Sequence, residues 1–356
     1  MTKTLAEALV KLGHTIFVAG VYNSISKDTV KVESGVTCIL LKKNKLIKRD
    51  WIDRIRLFKQ ISRLVKEHSI DLIEAPDYMG LTAFWPNIKT PVILRLHGSV
   101  TFLSIEQSLA VPSYIKFFET NAFKRAYAHI GVSKYILKRS REIFNVKQVP
   151  GFTIYNGVNS VKFQRQIKRQ NSVVFSGTLM RLKGVISLIE AWKLVNKEIP
   201  CAHLHIYGKD SLDNGVSVLE QLQLMLEDTI KDTVTFHGHV SQNIILQHLL
   251  NARMAVFPSY CESLGMAPLE AMAAGCPTIF TTKASGPEII ENRTDGLLVN
   301  PDDPEQIAKT IVYLFNNPET AQEIGYRGAK KIDDKFSIEK LILQNEKLYH
   351  SIISNN

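Results

Sequence analysis

The sequence predicts an α/β protein of two doubly wound domains, each a mostly parallel sheet with helices on both faces, that face a cleft. Three observations support this fold class. At 356 residues and 45% hydrophobic, the chain is long and apolar enough for about two domains with their own cores. Short β-rich runs alternate with amphipathic helical stretches along both halves. The polar and basic stretch at 151–171 is typical of an interdomain connection.

The predicted strands form two sets. Those of the first half read HTIFVAG, VTCILLK, IDLIEAP, PVILRLH and AHIGVS, at 14–20, 36–42, 70–76, 91–97 and 128–133. Those of the second half read SVVFSG, HLHIYG, VTFHG, MAVFPS and PTIFTT, at 172–177, 203–208, 234–238, 254–259 and 277–282. We therefore predict domains at 1–159 and 160–335, with a helix in 336–356 that packs back on the first domain. Folds of this class bind ligands at the carboxyl ends of their strands.

Composition argues against a membrane-spanning or secreted protein. No apolar run reaches the ~18–20 residues of a membrane span. Glu7, Lys11 and His14 interrupt any apolar core that a signal peptide would need. The four cysteines show no CxxC spacing and no disulfide framework. We therefore expect a reduced, cytoplasmic protein.

The net charge of +10 is distributed unevenly between the halves. Residues 1–159 hold 24 Lys+Arg against 12 Asp+Glu, whereas residues 160–356 hold 20 against 22. An anionic partner is therefore expected for the first half, and nucleic acid and the anionic face of a membrane are both candidates. The basic residues of LKKNKLIKRD (41–50) and the mixed aromatic and basic stretch SYIKFFETNAFKRAY (113–127) favour a peripheral membrane face. No nucleic-acid recognition motif accompanies the charge, so nucleic acid is not expected as a partner.

The stretch SYCESLGMAPLEAMAAG (259–275) carries two carboxylates, Glu262 and Glu270, among small and apolar residues. Each is costly to bury without a partner. A turn follows the strand MAVFPS, and a helix is predicted from about 264 to 274, ended by Gly275 and Pro277. Glu262 precedes this helix and Glu270 lies about four residues into it, ~6–9 Å further along.

The start of this helix is predicted to bind an anion. Its free N–H groups belong to Ser263, Leu264, Gly265 and Met266. Gly265 lets the backbone approach the anion closely. A carboxylate repels phosphate but accepts two hydrogen bonds from a vicinal diol. A nucleotide sugar satisfies every group, with one diol on Glu262, its diphosphate on the helix start and the other diol on Glu270.

The basic loop in VVFSGTLMRLKG (173–184) favours the same ligand. Arg181 and Lys183 follow the strand that ends near Gly177, where they can neutralise a diphosphate leaving group. The chain contains no D-x-D triplet, so we expect no dedicated metal site, no cofactor and a metal-independent reaction. His203-x-His205 and His237-x-His239 could form a four-histidine metal site, but ordinary strand histidines are the favoured interpretation.

On these motifs the sequence resembles the family 4 retaining glycosyltransferases (glycosyl transferases group 1). Their architecture, GT-B, consists of two Rossmann-like domains. The resemblance covers nearly the whole chain, and it rests on PSYCESLGMAPLEAMAAGCP, GTLMRLKG, YNGVNSVKF (155–163), HIGVSKYI (129–136) and LRLHGS (94–99). It implies that the first domain binds the acceptor and the second the donor. By the same resemblance, Asn156 and Gly157 match the interdomain turn.

The resemblance also implies roles for individual residues. Glu262 contacts the donor sugar, Glu270 the ribose and Lys183 the diphosphate. His97 matches a histidine near the reacting carbon of the sugar. The donor-binding residues would then be Gly177, Thr178, Ser263, Leu264, Gly265, Met266 and Glu270.

The sequence departs from the family pattern at two places. The family usually has an Arg directly after the glycine of the basic loop, where this chain has Thr178, so Arg181 is expected to supply the second positive charge. The family also opens with a strand and a Gly-rich loop, whereas MTKTLAEALVKLGHTIFVAG begins where the first helix should already be running. Either the true start lies upstream of Met1 or the first strand is lost, and we favour the upstream start.

These features predict a retaining glycosyltransferase that uses a nucleoside-diphosphate sugar and an acceptor hydroxyl, by front-face substitution as in the family. The expected acceptor is a lipid-linked glycan or a surface polysaccharide. A glycosidase is the rival enzyme, but it needs both carboxylates at one bond. The alternative outside the enzymes is a scaffold protein that binds a nucleotide sugar and has no catalytic activity.

Overall fold

A computed structural model describes residues 2–44, 50–86, 88–159 and 169–355. The chain forms two compact units. Unit 1 comprises Met1–Val132, Leu137–Ile154 and Glu339–Asn356, and unit 2 comprises Ser133–Ile136 and Tyr155–Ile338. The predicted boundaries after residues 159 and 335 stay predictions. Part of the basic stretch, at 45–49, and part of the predicted connection, at 160–168, lie outside the described residues.

The helices and strands follow one another along the chain in the predicted alternation. The helices are α1 (Thr2–Lys11), α2 (Asp50–His68), α3 (Val100–Glu106), α4 (Ser113–Arg125), α5 (Lys134–Ile143), α6 (Val185–Glu198), α7 (Val218–Met225), α8 (Gln242–Asn251), α9 (Met266–Ala273), α10 (Gly286–Ile289), α11 (Pro304–Asn316), α12 (Pro318–Lys331) and α13 (Ile338–Ser354). The strands are β1 (Phe17–Tyr22), β2 (Thr29–Glu33), β3 (Val36–Lys42), β4 (Ile73–Pro76), β5 (Val92–Leu96), β6 (Ala128–Gly131), β7 (Gly151–Thr153), β8 (Gln170–Ser176), β9 (His203–Tyr207), β10 (Leu212–Asp213), β11 (Val216–Ser217), β12 (Val234–Gly238), β13 (Ala252–Phe257), β14 (Thr278–Thr281) and β15 (Leu297–Val299).

Unit 1 contains two sheets. In the first, with order β1-β3-β2, β1 is parallel to β3 and β2 is antiparallel to it. Helix α2 packs on this sheet through Leu57 and Leu64. The second sheet has the order β4-β5-β6-β7, with every pair parallel. Its inner strands β5 and β6 are buried on both faces, and on β5 the successive residues Ile93 and Leu94 point to opposite faces and are both inaccessible to solvent.

Unit 2 is built on one parallel sheet with the order β12-β9-β8-β13-β14-β15. The chain runs from β8 outward to β12 on one side and then from β13 outward to β15 on the other. The strand order therefore reverses between β8 and β13, which pair in parallel. In doubly wound sheets, the carboxyl ends of the strands at this reversal flank the ligand-binding crevice. The two loops that leave β8 and β13 are thus the places where a ligand of unit 2 is expected.

The ten predicted strands all overlap observed ones, whereas β2, β7, β10, β11 and β15 were not predicted. The antiparallel strand β2 was not expected, because its residues Val30 and Val32 are exposed and it carries no core pattern. Strand β7 lies within the stretch predicted as the interdomain connection. Helix α9 begins at Met266 rather than near 264, because Gly265 has a φ of +90° and cannot extend the helix.

The described helices include none whose apolar stretch is long enough to span a bilayer.

Candidate functional site

The loop that follows β8 is held against the ends of both neighbouring strands, β9 and β13. The N–H groups of Gly177 and Leu179 donate to the carbonyls of Tyr207 and Lys209, at 2.9 and 2.8 Å. A short 3-10 turn, Arg181–Lys183, then leads to Gly184, whose φ is +69°. A Cβ on this glycine would collide with the carbonyl group of Pro258. This close approach brings Lys183 beside the residues that follow β13.

Lys183 and Glu262 form an ion pair between the two loops. Lys183 Nζ lies 2.7 Å from Glu262 Oε1, and Ser259 Oγ donates to the same oxygen at 3.0 Å. Both charged side chains are partly buried, and in such surroundings a charge is tolerated when it is paired. From their motifs, Glu262 is predicted to contact the sugar and Lys183 the diphosphate of one ligand. The structure brings them together.

Arg181 lies in the same turn but has a different partner. Its Nε is 3.1 Å from Oδ2 of Asp213, a residue of the β10–β11 hairpin, and its side chain is 67% exposed. An exposed ion pair of this kind contributes little to stability, so the guanidinium can exchange partners at low cost. The neighbouring Thr178 is exposed, and Gly177 is partly buried.

The turn before α9 presents backbone N–H groups. Within the described parts of the chain, those of residues 263–266 have no protein acceptor. Ser133 Oγ donates to the carbonyl of Ser263 at 2.5 Å, and Ser285 Oγ donates to the carbonyl of Leu264 at 2.9 Å. In a trans peptide the C=O and the following N–H point in opposite directions. The N–H groups of Leu264 and Gly265 therefore point away from the two hydroxyls, which leaves them available to an anion.

Ser133 and Ser285 were missed by the sequence analysis. Both are fully buried, and each is more than 20 positions from the carbonyl that it holds. Ser133 lies within HIGVSKYI, one of the segments that carry the resemblance, and this was the only signal in the sequence. Side chains of the turn itself contribute less to the anion site than its backbone does. That of Leu264 is buried and that of Met266 is partly buried.

Glu270 lies in α9, where it is partly buried. Burial raises the pKa of its carboxyl, and a hydrogen bond from Gln242 opposes this effect in part. The Nε2 atom of Gln242 donates to Glu270 Oε1 at 2.6 Å from the start of α8. Within the described chain this carboxylate has one amide donor and forms no ion pair, which leaves it able to accept a hydroxyl pair.

His97 belongs to unit 1, just after β5. Its backbone N–H and that of Gly98 both donate to the carboxyl group of Asp77, each at 3.1 Å. Burial lowers the pKa of His97 to about 4, and the charge of Arg95 adds to this effect. The imidazole is therefore neutral at pH 7. Burial also raises the pKa of Asp77 to about 7. Asp77 could not be identified from the sequence, because its role depends on a contact between neighbouring strands.

Two family models match this chain. The model described as Glycosyltransferase Family 4 matches residues 1–162, and the model described as Glycosyl transferases group 1 matches residues 159–331. The capsular polysaccharide biosynthesis glycosyltransferase CapM of Staphylococcus aureus is 26% identical over 219 residues. That alignment covers 58% of this chain and 56% of CapM, so the chain spans just over half the length of that relative.

Solved structures share the fold at low identity. Sucrose-phosphate synthase from Thermosynechococcus elongatus matches with a TM-score of 0.82 and 19% identity, over 100% of this chain and 93% of that one. Anabaena HepE in complex with UDP and glucose matches with a TM-score of 0.70 and 17% identity, over 89% and 87%. These likenesses confirm the predicted fold class, GT-B.

Proposed function

Because the chain belongs to the group 1 glycosyltransferases, we propose that it moves a sugar from a nucleoside-diphosphate sugar to an acceptor hydroxyl, with retention at the anomeric carbon. In general terms, the chain is a glycosyltransferase related to enzymes of polysaccharide biosynthesis. The observation that most supports a nucleoside-diphosphate sugar as donor is the ion pair of Lys183 and Glu262. Its Nζ and Oε1 atoms are 2.7 Å apart, beside the free amides of residues 263–266. A cation, a carboxylate and anion-binding amides at the strand-order reversal match the parts of one nucleotide sugar.

In the proposed complex, the diphosphate lies on the amides of residues 263–266, and Lys183 turns from Glu262 to the phosphate oxygens. Glu262 is then free to accept hydroxyl protons of the sugar, and Glu270 those of the ribose. Before the donor arrives, the ion pair keeps both partly buried charges compensated. As the bond to the sugar breaks, Lys183, Arg181 and the amides stabilise the negative charge that grows on the leaving group. HepE, whose solved complex holds UDP and glucose, supports a donor of this class.

We assign His97 a place near the reacting sugar carbon on the resemblance alone. Its neutral imidazole can donate from one ring nitrogen and accept at the other. In a front-face substitution, the acceptor hydroxyl attacks from the side that the diphosphate leaves, so its proton can pass to the departing phosphate oxygen. His97 then needs only to orient hydroxyl groups, and no metal is required by this scheme.

Donor binding and turnover separate this proposal from its rivals. A panel of UDP-, GDP- and ADP-sugars is screened for a rise in melting temperature, because a ligand of the folded state stabilises it. The donor that binds is then tested for hydrolysis and transfer. We expect one class of donor to bind and to turn over slowly without acceptor. Tight binding without turnover would favour the scaffold, and cleavage of oligosaccharides without donor binding would favour a glycosidase.

We also propose that unit 1 lies on an anionic membrane surface at the cytoplasmic face, where a lipid-linked or surface-glycan acceptor is presented. On α4, Tyr114 and Phe117 are 61% and 57% exposed. The ring of Phe117 lies 5.3 Å from that of Phe84, which is also exposed. Lys116 and Lys124 lie on the same helix, and each basic residue near an anionic surface contributes ~1 kcal/mol.

Co-sedimentation with vesicles tests this face. The chain should be recovered with vesicles of anionic lipids and much less with neutral ones. Phe117→Asp should lower recovery with the anionic vesicles. Leu224→Asp is a matched control, because Leu224 is 87% exposed but belongs to unit 2. Equal recovery with both kinds of vesicle, or equal loss in both variants, would refute the membrane proposal and leave the donor proposal intact.

A further inference from the structure

Three side chains with metal-binding atoms converge in unit 1. His14 lies in the turn after α1, and Glu346 and His350 lie on α13. One ligand atom of each residue lies within 4.8 Å of those of the other two. His14 Nε2 is 2.8 Å from Glu346 Oε1, and the ring centroids of His14 and His350 are 5.7 Å apart. We propose that these three residues bind a zinc ion, and this proposal is independent of the glycosyl transfer.

The position of His14 is set by the end of α1. Gly13 has a φ of +93°, and the N–H of His14 donates to the carbonyl of Leu9 at 3.1 Å. This is the usual way in which a helix is closed by a left-handed glycine. The backbone of His14 is therefore held by the helix terminus, and its imidazole does not depend on a mobile loop.

Glu346 and His350 are set by their spacing. Residues four apart lie one above the other on a helix face, so both side chains project to the same side of α13. The helix is held by neighbouring residues of the same unit. Tyr349 donates from its hydroxyl to Glu74 at 2.6 Å, and Asn345 accepts from Arg95 at 2.5 Å. The helix segment that carries the two ligand residues is therefore held in place without an ion.

The donor set fits zinc better than magnesium or calcium. Two imidazoles and one carboxylate are typical zinc ligands, and water completes a tetrahedral site. Bonds of about 2.0–2.2 Å would place the ligand atoms roughly 3.3 Å apart. The 2.8 Å contact of His14 with Glu346 therefore needs to open only slightly. When His14 binds the ion through Nε2, its ring proton is carried by Nδ1.

Two other arrangements compete with this proposal. The first is an ordinary hydrogen bond between His14 and Glu346, with His350 only nearby. The second is the histidine cluster of unit 2, where His205 Nδ1 lies 3.0 Å from His237 Nε2 and the ring of His248 is 5.5 Å from that of His205. Among the described residues, these histidines do not bring three ligand atoms as close together as the unit 1 site does.

Such an ion would link two segments that are 332 positions apart in the chain, the turn after α1 and the last helix. A structural metal contributes its binding free energy to folding. Zinc should therefore stabilise unit 1 and protect α13 from fraying. None of its three ligands is among the residues proposed to bind the donor.

Metal titration of the full chain, without a histidine tag and after treatment with a chelator, tests the proposal. Zinc is titrated by calorimetry, and cobalt is used as a substitute whose visible absorption reports nitrogen and oxygen ligands. We expect one ion per chain and a higher melting temperature with zinc. Glu346→Gln and His350→Ala should each weaken binding at least tenfold and abolish the shift in melting temperature. His237→Ala, in the competing cluster, should leave both unchanged.

Two results would overturn the proposal. One is the absence of stoichiometric binding by the wild-type chain, which would reduce the cluster to a hydrogen bond. The other is a loss of binding in His237→Ala as large as that in His350→Ala. Since the His350 side chain is exposed, its truncation should leave the metal-free melting temperature unchanged, which separates loss of the ion from loss of the fold.

Discussion

Lys183 Nζ lies 2.7 Å from Glu262 Oε1, although the two residues are 79 positions apart in the chain. The pair joins the loops that leave β8 and β13, the two strands at which the sheet order of unit 2 reverses. In the account proposed here, the donor separates the pair, and each partner takes a different part of the ligand. Substitutions of the two residues should therefore have different kinetic effects.

Lys183→Ala should lower kcat by about 10²–10³-fold, because it removes a cation that stabilises the leaving group mainly in the transition state. Initial rates of transfer or donor hydrolysis measure this effect. Lys193→Ala is a matched control, since Lys193 forms a similar ion pair with Glu227 at 2.9 Å but lies on α6. Turnover close to that of the wild type in Lys183→Ala would remove the proposed leaving-group role.

Glu262→Gln and Glu270→Gln should separate kcat from KM. Glu262→Gln should mainly lower kcat, because the sugar is the part of the donor whose charge changes in the reaction. Glu270→Gln should raise the donor KM roughly tenfold with little change in kcat, because the ribose contact is the same before and during the reaction. Steady-state kinetics over a range of donor concentrations give both values. The reverse pattern would exchange the two assignments.

Glu270 should also give donor binding a pH dependence. Burial raises the pKa of its carboxyl, so mild acid protonates it more readily than an exposed glutamate. A protonated carboxyl accepts hydroxyl pairs less well, so donor KM should rise as the pH falls. Glu270→Gln should lack this component of the KM profile. An unchanged profile in the variant would show that another group is responsible.

Ser285→Ala should weaken donor binding about fivefold, which corresponds to a loss of ~1 kcal/mol of binding free energy. The reason is that the carbonyl of Leu264 loses the hydroxyl that orients the next N–H group. Ser133→Ala should act in the same direction through the carbonyl of Ser263. Ser217→Ala is the control, since Ser217 caps α7 and contacts no proposed donor residue in the described chain. Calorimetry with the best donor measures the affinities. Equal affinity in all three variants would mean that the amides do not need these anchors.

Stability should fall in acid through buried histidines. Burial lowers the pKa of His129 to about 4 from its ordinary 6.5. Between these values the unfolded chain holds a proton that the folded chain does not, so the free energy of unfolding falls as pH falls, by up to about 1.4 kcal/mol per pH unit. His129→Gln should flatten this slope in urea unfolding.

Asp77 should act in the opposite sense. Burial raises its pKa to about 7 from 3.8, so between these values the folded chain holds the extra proton and its contribution to stability is lost as pH rises. Asp77→Asn should therefore make the loss of stability in acid steeper than in the wild type. Identical pH profiles for wild type and both variants would contradict the assigned protonation states.

The sequence predicted what depends on local pattern. The strands of unit 2 were predictable because Val173, Val174 and their counterparts form short apolar runs typical of a buried parallel sheet. The position of Glu262 and Glu270 around one helix start followed from the strand before it and from Gly275 after it. Strand β2 carried no such pattern, because its exposed valines face solvent at the edge of a sheet.

What the sequence left out depends on contacts between distant residues. The hydroxyls of Ser133 and Ser285 hold carbonyls that only the folded sheet brings near. The pairing of Lys183 with Glu262 depends on the approach of Gly184 to Pro258, which no local propensity predicts. His14 and His350 gave no spacing signal at all, because one lies near each end of the chain.

The decisive experiment is a crystal structure of the chain with the nucleotide sugar that raises its melting temperature. The proposed binding mode places diphosphate oxygens within about 3.2 Å of the amides at 263–266 and of Lys183 Nζ. It also places sugar hydroxyls on Glu262 and ribose hydroxyls on Glu270. A nucleotide bound away from the loops that follow β8 and β13, or carboxylates of Glu262 and Glu270 that contact no ligand hydroxyl, would contradict it.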